Sequence, residues 1–404
     1  MSQLSEQAAL RADFPALGAQ LDGVNITYLD SAASSLKPQL VADAVSQYYL
    51  GVSTNVHRGK SQSLESVSNR YEEARYKVAE LISCSGNEVV FVKNTTEGIN
   101  LVANGCQLQS NDLVVTLPSG HHSNLLPWMA KAQVESVELN KQGDIDLLSY
   151  IALLDRKPKV VAITACSNVS GVYLDLPLYC KMAKEAGSIV VVDAAQAIAH
   201  RKINVHELDI DFMTFSAHKM LGPTGLGILY GRKAALEQLE VTQLGGGMVD
   251  WVDEEHYRVR KIPHRFEPGT PHIAGVLGFS AAIEYLNKFG WERVQQHDIE
   301  LGKLMLEEAL ARDYLNVIQP DRSLDRGAVL SFSIPKVNSL DDFARTLSDS
   351  YGFICRTGHL CAQPFVSQYS DQPVLRISGY IYTTEDDIKA FFAALDELSK
   401  FTFL

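Results

Sequence analysis

Two patterns of hydrophobic and polar positions alternate along this chain. Short unbroken apolar runs, such as Ile-Val-Val-Val at 189–192, are typical of strands that are buried on both faces of a parallel sheet. Between such runs, apolar residues recur every three or four positions, as at Val41, Ala44 and Val45, which predicts amphipathic helices. Strands that alternate with helices at this spacing predict an α/β fold, with a largely parallel sheet and helices on both of its faces.

The pattern changes near residue 290, where helix, strand and hairpin patterns begin to follow one another without the earlier alternation. This change predicts a smaller α+β domain. We therefore expect a segment over 1–24 that packs with the small domain, a large domain over 25–289 and the small domain over 290–404. The glycine-rich start and the mixed charged and aromatic residues of 244–265 predict an irregular segment.

Polar side chains stand where two of the predicted strands end. Asp193 directly follows the run at 189–192, and Ser216, His218 and Lys219 follow the apolar segment at 212–215. Ligands bind at the carboxyl ends of strands in open α/β sheets, so a carboxylate and an amine would meet at one edge. A simpler interpretation is that Asp193 and Lys219 only cap strand ends and face solvent, as most Asp and Lys side chains do.

Other polar residues are expected at the same edge of the sheet. His121 follows the predicted strand at 113–117, and Asn168 follows the one at 160–164. Thr95 and Thr96 lie between a strand at 88–92 and a helix. Threonines ahead of a helix are most often N-caps; the functional alternative is an anion held by the free N–H groups of the helix N-terminus.

Composition narrows the class of protein. The 404 residues carry a formal net charge of −12, which argues against nucleic acid or an anionic membrane as the main partner. No apolar run approaches the roughly 20 residues of a membrane span, and the start of the chain has neither a basic nor an apolar stretch. We expect a cytoplasmic protein with reduced thiols, because its six cysteines show no metal-type spacing and no dense disulfide framework.

These residue types match the needs of pyridoxal phosphate, provided that they share one pocket. A buried carboxylate beside the pyridine nitrogen keeps it protonated, a role open to Asp193, and Lys219 can form the Schiff base. A flat ring at His121 can stack on the cofactor, and Gln196 can donate to its phenolic oxygen; Ser216, His218 and Thr96 can hold the phosphate. A nicotinamide-binding domain is disfavoured, because the chain lacks a Gly-x-Gly-x-x-Gly turn between strand and helix.

Ordered motifs along nearly the whole chain carry a family resemblance. They are Tyr28-Leu29-Asp30-Ser31-Ala32-Ala33, Asn55-Val56-His57-Arg58-Gly59, Thr95-Thr96-Glu97-Gly98, His121-His122-Ser123-Asn124, Ser167-Asn168-Val169, Val192-Asp193-Ala194-Ala195-Gln196, Ser216-Ala217-His218-Lys219, Gly269-Thr270-Pro271, the run 356–364 and Leu375-Arg376. With these motifs the chain resembles the group II cysteine desulfurases, which have the class V aminotransferase fold of type I pyridoxal-phosphate enzymes. The resemblance implies a mostly parallel seven-stranded sheet in the large domain.

The resemblance implies a role for each matching residue. Lys219 becomes the Schiff-base lysine and the base for the substrate α-proton, and Cys361 becomes the nucleophile. The implied cofactor-binding set is Thr95, Thr96, His121, Asp193, Gln196, Ser216, His218, Lys219 and Thr270. The implied substrate-binding set is Asn168, Arg376, Arg356, His57, Arg58 and Ala33. Thr270 would reach the phosphate of the partner subunit's cofactor, and His57 and Arg58 would lie near a shared active-site mouth, so a homodimer is implied.

The implied reaction converts L-cysteine to L-alanine and leaves sulfur on Cys361 as a persulfide, for transfer to an acceptor protein. Two related activities stay open, on selenocysteine and on cysteine sulfinate, because their leaving groups need not use Cys361. A non-catalytic docking protein for sulfur relay is an alternative of another class, against which the presence of Lys219, Asp193 and Arg376 counts. Three routes for the sulfur stay open: iron–sulfur assembly, tRNA modification or another pathway.

Cys361 has a setting unlike that of the other cysteines. A lone cysteine is more often an inert small hydrophobe, but Cys361 lies in a Gly-His-Leu-Cys-Ala-Gln-Pro turn near Arg356 and His359, cations that can lower a thiol pKa. Three positions depart from the usual family pattern: Gly120 replaces an acid before the histidine pair, Asn94 replaces a glycine, and Leu360 occupies a variable position. No departure removes a group that the implied reaction needs.

Overall fold

A computed structural model describes residues 3–21, 23–51, 53–56 and 61–402. The α-helices within these ranges are α1 (Gln3–Ala12), α2 (Gln39–Leu50), α3 (Gln62–Leu81), α4 (Thr95–Gly105), α5 (Leu126–Met129), α6 (Leu147–Leu154), α7 (Leu176–Glu185), α8 (Lys233–Gln238), α9 (Ile273–Phe289), α10 (Trp291–Leu310), α11 (Leu340–Tyr351), α12 (Gln363–Val366) and α13 (Glu385–Thr402).

The strands are β1 (Gln20–Leu21), β2 (Val24–Asn25), β3 (Thr27–Tyr28), β4 (Val89–Val92), β5 (Leu113–Thr116), β6 (Gln133–Ser136), β7 (Val160–Thr164), β8 (Ile189–Asp193), β9 (Phe212–Ser216), β10 (Gly227–Gly231), β11 (Val249–Val252), β12 (Tyr257–Val259), β13 (Asn316–Val317), β14 (Val329–Ser333), β15 (Phe353–Ile354), β16 (Arg356–Gly358) and β17 (Val374–Ser378).

A seven-stranded sheet forms the centre of the fold, with the strand order β4-β10-β9-β8-β7-β5-β6. The strands from β9 to β6 in this order run parallel, and β10 is antiparallel to both of its neighbours. The predicted α/β class with a mostly parallel seven-stranded sheet is confirmed. Since parallel strands end at one edge, the polar residues after β5, β7, β8 and β9 are carried to the same side of the sheet.

Burial on both faces explains why these strands are unbroken apolar runs. In β7, Val161 and Ile163 belong to one hydrophobic cluster, while Val160 and Ala162 belong to another. Because successive side chains point to opposite faces of a strand, each cluster covers one face of the sheet. All five residues of β7 are buried.

A second, antiparallel sheet with the order β13-β14-β17-β16 has a hydrophobic core of its own. Phe332, Leu375 and Phe392 are fully buried in this core. The N-terminal strand β3 pairs in parallel with β15 beside it, and on α1 the Arg11 guanidinium donates to the Asp387 carboxylate over 2.7 Å. The division of the chain at residues 24 and 289 stays a prediction.

The strand assignments correct one sequence expectation and add one strand that was not predicted. The segment expected to be irregular contains a hairpin of β11 and β12, and the polar run that begins at Arg356 starts as strand β16. Both were missed because strand prediction relies on buried apolar positions. Trp251 and Tyr257 in the hairpin are more than half exposed, and β16 has the sequence Arg-Thr-Gly.

Candidate active site

A cavity of about 690 Å³ opens at the carboxyl edge of the parallel strands. It gathers most of the residues that the sequence singles out. The predicted site residues that line it are Ala33, Thr95, Thr96, His121, Asn168, Asp193, Gln196, Ser216, His218, Lys219, Arg356, Cys361 and Arg376. Side chains of both sheets therefore meet in one cavity, although Ala33 and Arg376 lie at nearly opposite ends of the sequence.

Asp193 ends β8 as a buried carboxylate. Its Oδ1 accepts a hydrogen bond of 2.9 Å from the backbone N–H of Ala195. Burial raises the pKa of Asp193, and the hydrogen bond from Ala195 and the nearby Lys219 oppose this change. No cation among the described residues lies within ion-pair distance of this carboxylate, so the arrangement suits a positively charged ligand atom.

Lys219 ends the short 3-10 turn Ala217–Lys219 that follows β9. Its Nζ lies 3.5 Å from Oε1 of Gln196. Burial and the guanidinium of Arg376 lower the pKa of Lys219 to about 8, although Asp193 acts in the opposite direction. A larger fraction of this amine is therefore neutral near pH 8 than for an ordinary lysine, as a nucleophile or a base requires.

The peptide group that precedes Lys219 is held by residues near the start of the chain. The His218 carbonyl accepts hydrogen bonds from Lys37 Nζ over 2.9 Å and from both the N–H and the hydroxyl of Ser35 over 3.0 Å. Burial lowers the pKa of Lys37 to about 8. Sequence analysis did not identify Lys37, because its contact lies 181 residues away.

The start of α4 lines the cavity beside β9. Asn94, not a threonine, is the N-cap, because its side chain accepts from the N–H of Glu97. Thr95 is thus the first helical residue, and its hydroxyl lies 2.7 Å from the hydroxyl of Ser216. The hydroxyl of Thr96 lies 2.7 Å from that of Ser123. Hydroxyls and a helix N-terminus at one place make a suitable site for a phosphate group.

His121 presents a neutral imidazole to the cavity. Its Nδ1 accepts from the backbone N–H of Ser123 over 3.1 Å, so in the neutral ring Nε2 carries the proton. Burial, Lys219, His122 and Arg376 together lower the pKa of His121 to about 4. A neutral flat ring beside the lysine is suited to stacking on an aromatic cofactor.

Arg376 lies in β17 as a buried guanidinium that sequence analysis assigns to a substrate carboxylate. It donates to the Asn168 carbonyl and to Oδ1 of Asp30, both over 3.0 Å. Burial lowers the pKa of Arg376, and Asp30 opposes this change. Among the described residues, Arg376 Nε and Asn168 Oδ1 are buried without a hydrogen-bond partner. Because buried polar groups are almost always hydrogen-bonded, these two atoms indicate a place where a ligand can bind.

Cys361 is the one exposed cysteine of the six, all of which lie within the described ranges. Both Leu360 and Cys361 have left-handed backbone, with φ of 56° and 54°, a strained conformation that concentrates at functional sites. The N–H of His122 holds the Cys361 carbonyl at 2.7 Å, and Asn168 Nδ2 holds the Leu360 carbonyl at 2.8 Å. By contrast, burial raises the pKa of Cys355 to about 12.

The remaining predicted site residues are Thr270, His57 and Arg58. Thr270 lines a second cavity of about 340 Å³, where its hydroxyl accepts from Asn55 Nδ2 over 3.4 Å. His57 and Arg58 lie outside the described residues. The roles of Asp30 and His122 could not be recognised from the sequence, because their contacts depend on the fold.

The cavity residues fit pyridoxal phosphate. The buried Asp193 without a cationic partner suits a protonated pyridine nitrogen, Lys219 lies close by, and the hydroxyls at the start of α4 suit the phosphate. Within the described ranges, His, Cys, Asp and Glu side chains form no group of three or more that could hold a metal ion, and no helix is long and apolar enough to cross a membrane.

This chain is similar over nearly its whole length to members of one protein family. The family model for aminotransferase class-V matches residues 27–391. A probable cysteine desulfurase from Streptomyces coelicolor is 36% identical, over 98% of each chain. A cysteine desulfurase from Serratia proteamaculans is also 36% identical, over 97% of this chain and 98% of its own.

Solved structures show the same relationship. A cysteine desulfurase from Thermococcus onnurineus superposes with a TM-score of 0.91 at 34% identity, over 97% of this chain and 98% of its own. One from Escherichia coli gives 0.86 at 34% identity, over 98% of each chain. The resemblance that the motifs carry is confirmed: this chain belongs to the class V aminotransferase family and, within it, to the cysteine desulfurases.

Proposed function

We propose that this protein is a pyridoxal-phosphate-dependent L-cysteine desulfurase. The observation that carries the proposal is one cavity that holds Asp193, Lys219 and Arg376 together with the exposed thiol of Cys361. L-Cysteine and the Cys361 thiol give L-alanine and a persulfide on Cys361, so one C–S bond breaks and one S–S bond forms. The persulfide sulfur then passes to an acceptor.

Besides Lys219, seven residues of the cavity would hold the cofactor. Asp193 would pair with the pyridine nitrogen, His121 would stack on the ring, and Gln196 would donate to the phenolic oxygen. The phosphate would lie among Thr95, Thr96, Ser216 and His218, all of which line the cavity. When bound, the cofactor withdraws electrons from the substrate Cα and so makes the proton there acidic.

The remaining steps belong to the chain's own side chains. Arg376 binds the substrate carboxylate with two parallel hydrogen bonds, and Asn168, whose backbone carbonyl accepts from Arg376, lines the cavity with it. The amine of Lys219 takes up the Cα proton, for which its lowered pKa of about 8 is suitable. The thiolate of Cys361 attacks the substrate sulfur.

Two substitutions test this function. Lys219→Ala should abolish the visible absorbance of lysine-bound cofactor, and a colourless wild-type protein would refute the proposal.

Cys361→Ala should keep that absorbance, because Cys361 is not among the residues proposed to hold the cofactor. It should reduce persulfide formation from L-cysteine by at least about 100-fold. Sulfide release by Cys361→Ala at the wild-type rate would show that the nucleophile is assigned wrongly. Repeating both assays with selenocysteine and cysteine sulfinate measures which substrate depends on Cys361.

The proposal extends to partners and location. Thr270 lies in the second cavity rather than beside Lys219, which is the arrangement expected if it serves the cofactor of a second copy in a homodimer. An exposed Cys361 that carries transferable sulfur suits delivery to an acceptor protein with its own thiol. Such thiol chemistry is expected in the reducing cytoplasm.

A further inference from the structure

One carboxylate, that of Asp30, joins the two arginines of the cavity. Arg356 donates to it from Nε over 3.1 and 3.2 Å and from Nη2 over 2.8 Å. Arg376 donates to Oδ1 from Nη2 over 3.0 Å. Asp30 and Arg376 are both buried, so the contact between them is little screened by solvent. These contacts bring the start of the chain to two strands near its end.

The two arginines face each other in the second sheet. Arg356 of β16 and Arg376 of β17 are direct partners in the antiparallel register. Like charges that lie directly opposite one another destabilise a strand pair. Asp30 supplies the negative charge that offsets this repulsion, because it contacts both guanidiniums at once.

Arg376 depends on Asp30 more than Arg356 does. The Arg376 side chain is only 3% exposed, and among the described residues Asp30 is the one carboxylate within ion-pair distance of it. A buried cation that loses its partner is strongly disfavoured. Arg356 is 51% exposed, so without Asp30 it could turn into solvent, away from the strand that leads to Cys361.

We propose that Asp30 is a positioning residue, which holds Arg376 in the orientation that binds the substrate carboxylate and holds Arg356 at the base of the Cys361 loop. This inference rests on the proposed function, because it assumes an amino-acid substrate. Asp30 does not touch the substrate in this scheme. Its effect is therefore specific to ligands that carry a carboxylate.

The test compares two ligands of the holoenzyme, L-alanine and L-alaninamide, which differ only in the carboxylate. Binding of each is followed by the change in the visible spectrum of the bound cofactor. Asp30→Asn should weaken L-alanine binding by about tenfold, since a charge-assisted hydrogen bond to the clamp is lost. Binding of L-alaninamide should change by less than about threefold. An equal loss for both ligands, no loss, or tighter binding of L-alanine overturns the proposal.

Matched variants separate positioning from general damage. Asp396 also binds one arginine bidentately, with Arg312 Nε at 2.8 Å and Nη2 at 2.7 Å, but it lies outside the cavity; Asp396→Asn should leave the ratio of the two affinities unchanged. If Asp30→Asn does not fold, Asp30→Glu carries the test, and an unchanged ratio in that variant overturns the proposal. Wild-type absorbance and persulfide formation report separately on the proposed function.

Discussion

At the scale of single residues, burial in the cavity shifts the pKa values of an amine and of a carboxylate in opposite directions. Burial lowers the pKa of Lys219 and raises that of Asp193, because a low-dielectric site disfavours both charged forms. The lysine is thereby a better nucleophile at neutral pH. A cation placed beside the carboxylate stabilises its ionised form. Both shifts favour a ligand that bonds to the amine and brings positive charge to the acid.

The lowered pKa of Lys219 predicts how the cofactor attaches. In the cofactor-free protein, the rate at which pyridoxal phosphate bonds to Lys219 should rise with pH and level off above about pH 8, because only the neutral amine reacts and the pKa lies at about 8. The measurement is the growth of visible absorbance after mixing in a series of buffers. Nα-acetyl-lysine in the same buffers is the control for changes in the cofactor itself. A rate that keeps rising to pH 10, as for an ordinary lysine, contradicts the prediction.

The roles of individual residues were predictable where they follow directly from position in a strand. Asp193 and Lys219 could be identified because each follows an apolar run that fixes its place at the sheet edge. Asp30 and Lys37 could not, because their partners lie 326 and 181 residues away. Distant pairs of this kind leave no periodic signal in the sequence.

At the scale of elements, a buried ion pair joins α3, β4 and the loop before α9. Arg75 Nη2 donates to Glu267 Oε2 over 3.0 Å, and the N–H of Phe91 donates to Oε1 over 2.8 Å. Burial alone would raise the pKa of Glu267, but Arg75 and His264 bring it down to about 2. The pair fixes the loop that continues to Thr270.

Glu267→Gln should therefore lower the free energy of unfolding at pH 7 by about 2–3 kcal/mol, since the buried Arg75 loses one ionised partner and keeps only Glu72, at 2.8 Å from Nε. The measurement is urea unfolding of both proteins. Glu135→Gln, which breaks the exposed pair with Arg156, is the matched control and should change stability little. A loss for Glu267→Gln no larger than that of the control counts against the prediction.

The pH dependence of this pair has a defined sign. Glu267 has a lowered pKa in the folded state, so its contribution to stability is present above the unfolded-state pKa of about 4.3 and is lost as the pH falls towards 2. The difference in unfolding free energy between wild type and Glu267→Gln should accordingly narrow over this interval.

Helices and strands could be predicted where their packing produces a pattern of apolar positions in the sequence. The apolar run of β8 is buried on both faces, and its position was predicted to within one residue. Strand β16 and the hairpin of β11 and β12 were missed, because their side chains are polar or face solvent. The N-cap of α4 is Asn94 rather than one of the threonines, since an asparagine side chain caps a helix as well as a threonine does.

At the scale of the whole molecule, the position of Thr270 outside the main cavity leads to a prediction about assembly. Sedimentation should give about twice the chain mass of 44.5 kDa.

Thr270→Ala should weaken cofactor binding by about tenfold, through loss of one hydrogen bond to phosphate. Two differently tagged chains, one with Lys219→Ala and one with Thr270→Ala, can be purified as a hybrid.

If Thr270 serves the partner's cofactor, this hybrid contains one intact site and one site with both substitutions. Its activity at limiting cofactor should be about half that of wild type, because a two-fold dimer has two equivalent sites. A hybrid no more active than the parent variants would show that Thr270 acts within its own chain, and a monomer in sedimentation would refute the homodimer.

The general fold followed from the sequence, but the assembly of the cavity did not. Periodicity gave the central sheet and the edge at which ligands bind. It did not give the contact of the second sheet with that edge, which depends on β3 pairing with β15 and on Asn168 reaching the loop of Cys361. These contacts join segments far apart in the chain.

The pairing of β3 with β15 can form only late in biosynthesis. The N-terminal half of a chain emerges from the ribosome first, so the strands that surround Asp193 and Lys219 are complete while β15, β16 and β17 have yet to be made. Asp30 has no arginine to hold during that time, and Cys361 has not been translated. The cofactor-binding residues from Thr95 to Lys219 are thus all translated before Cys361 and Arg376, and the complete cavity can form only when the last strands join the first.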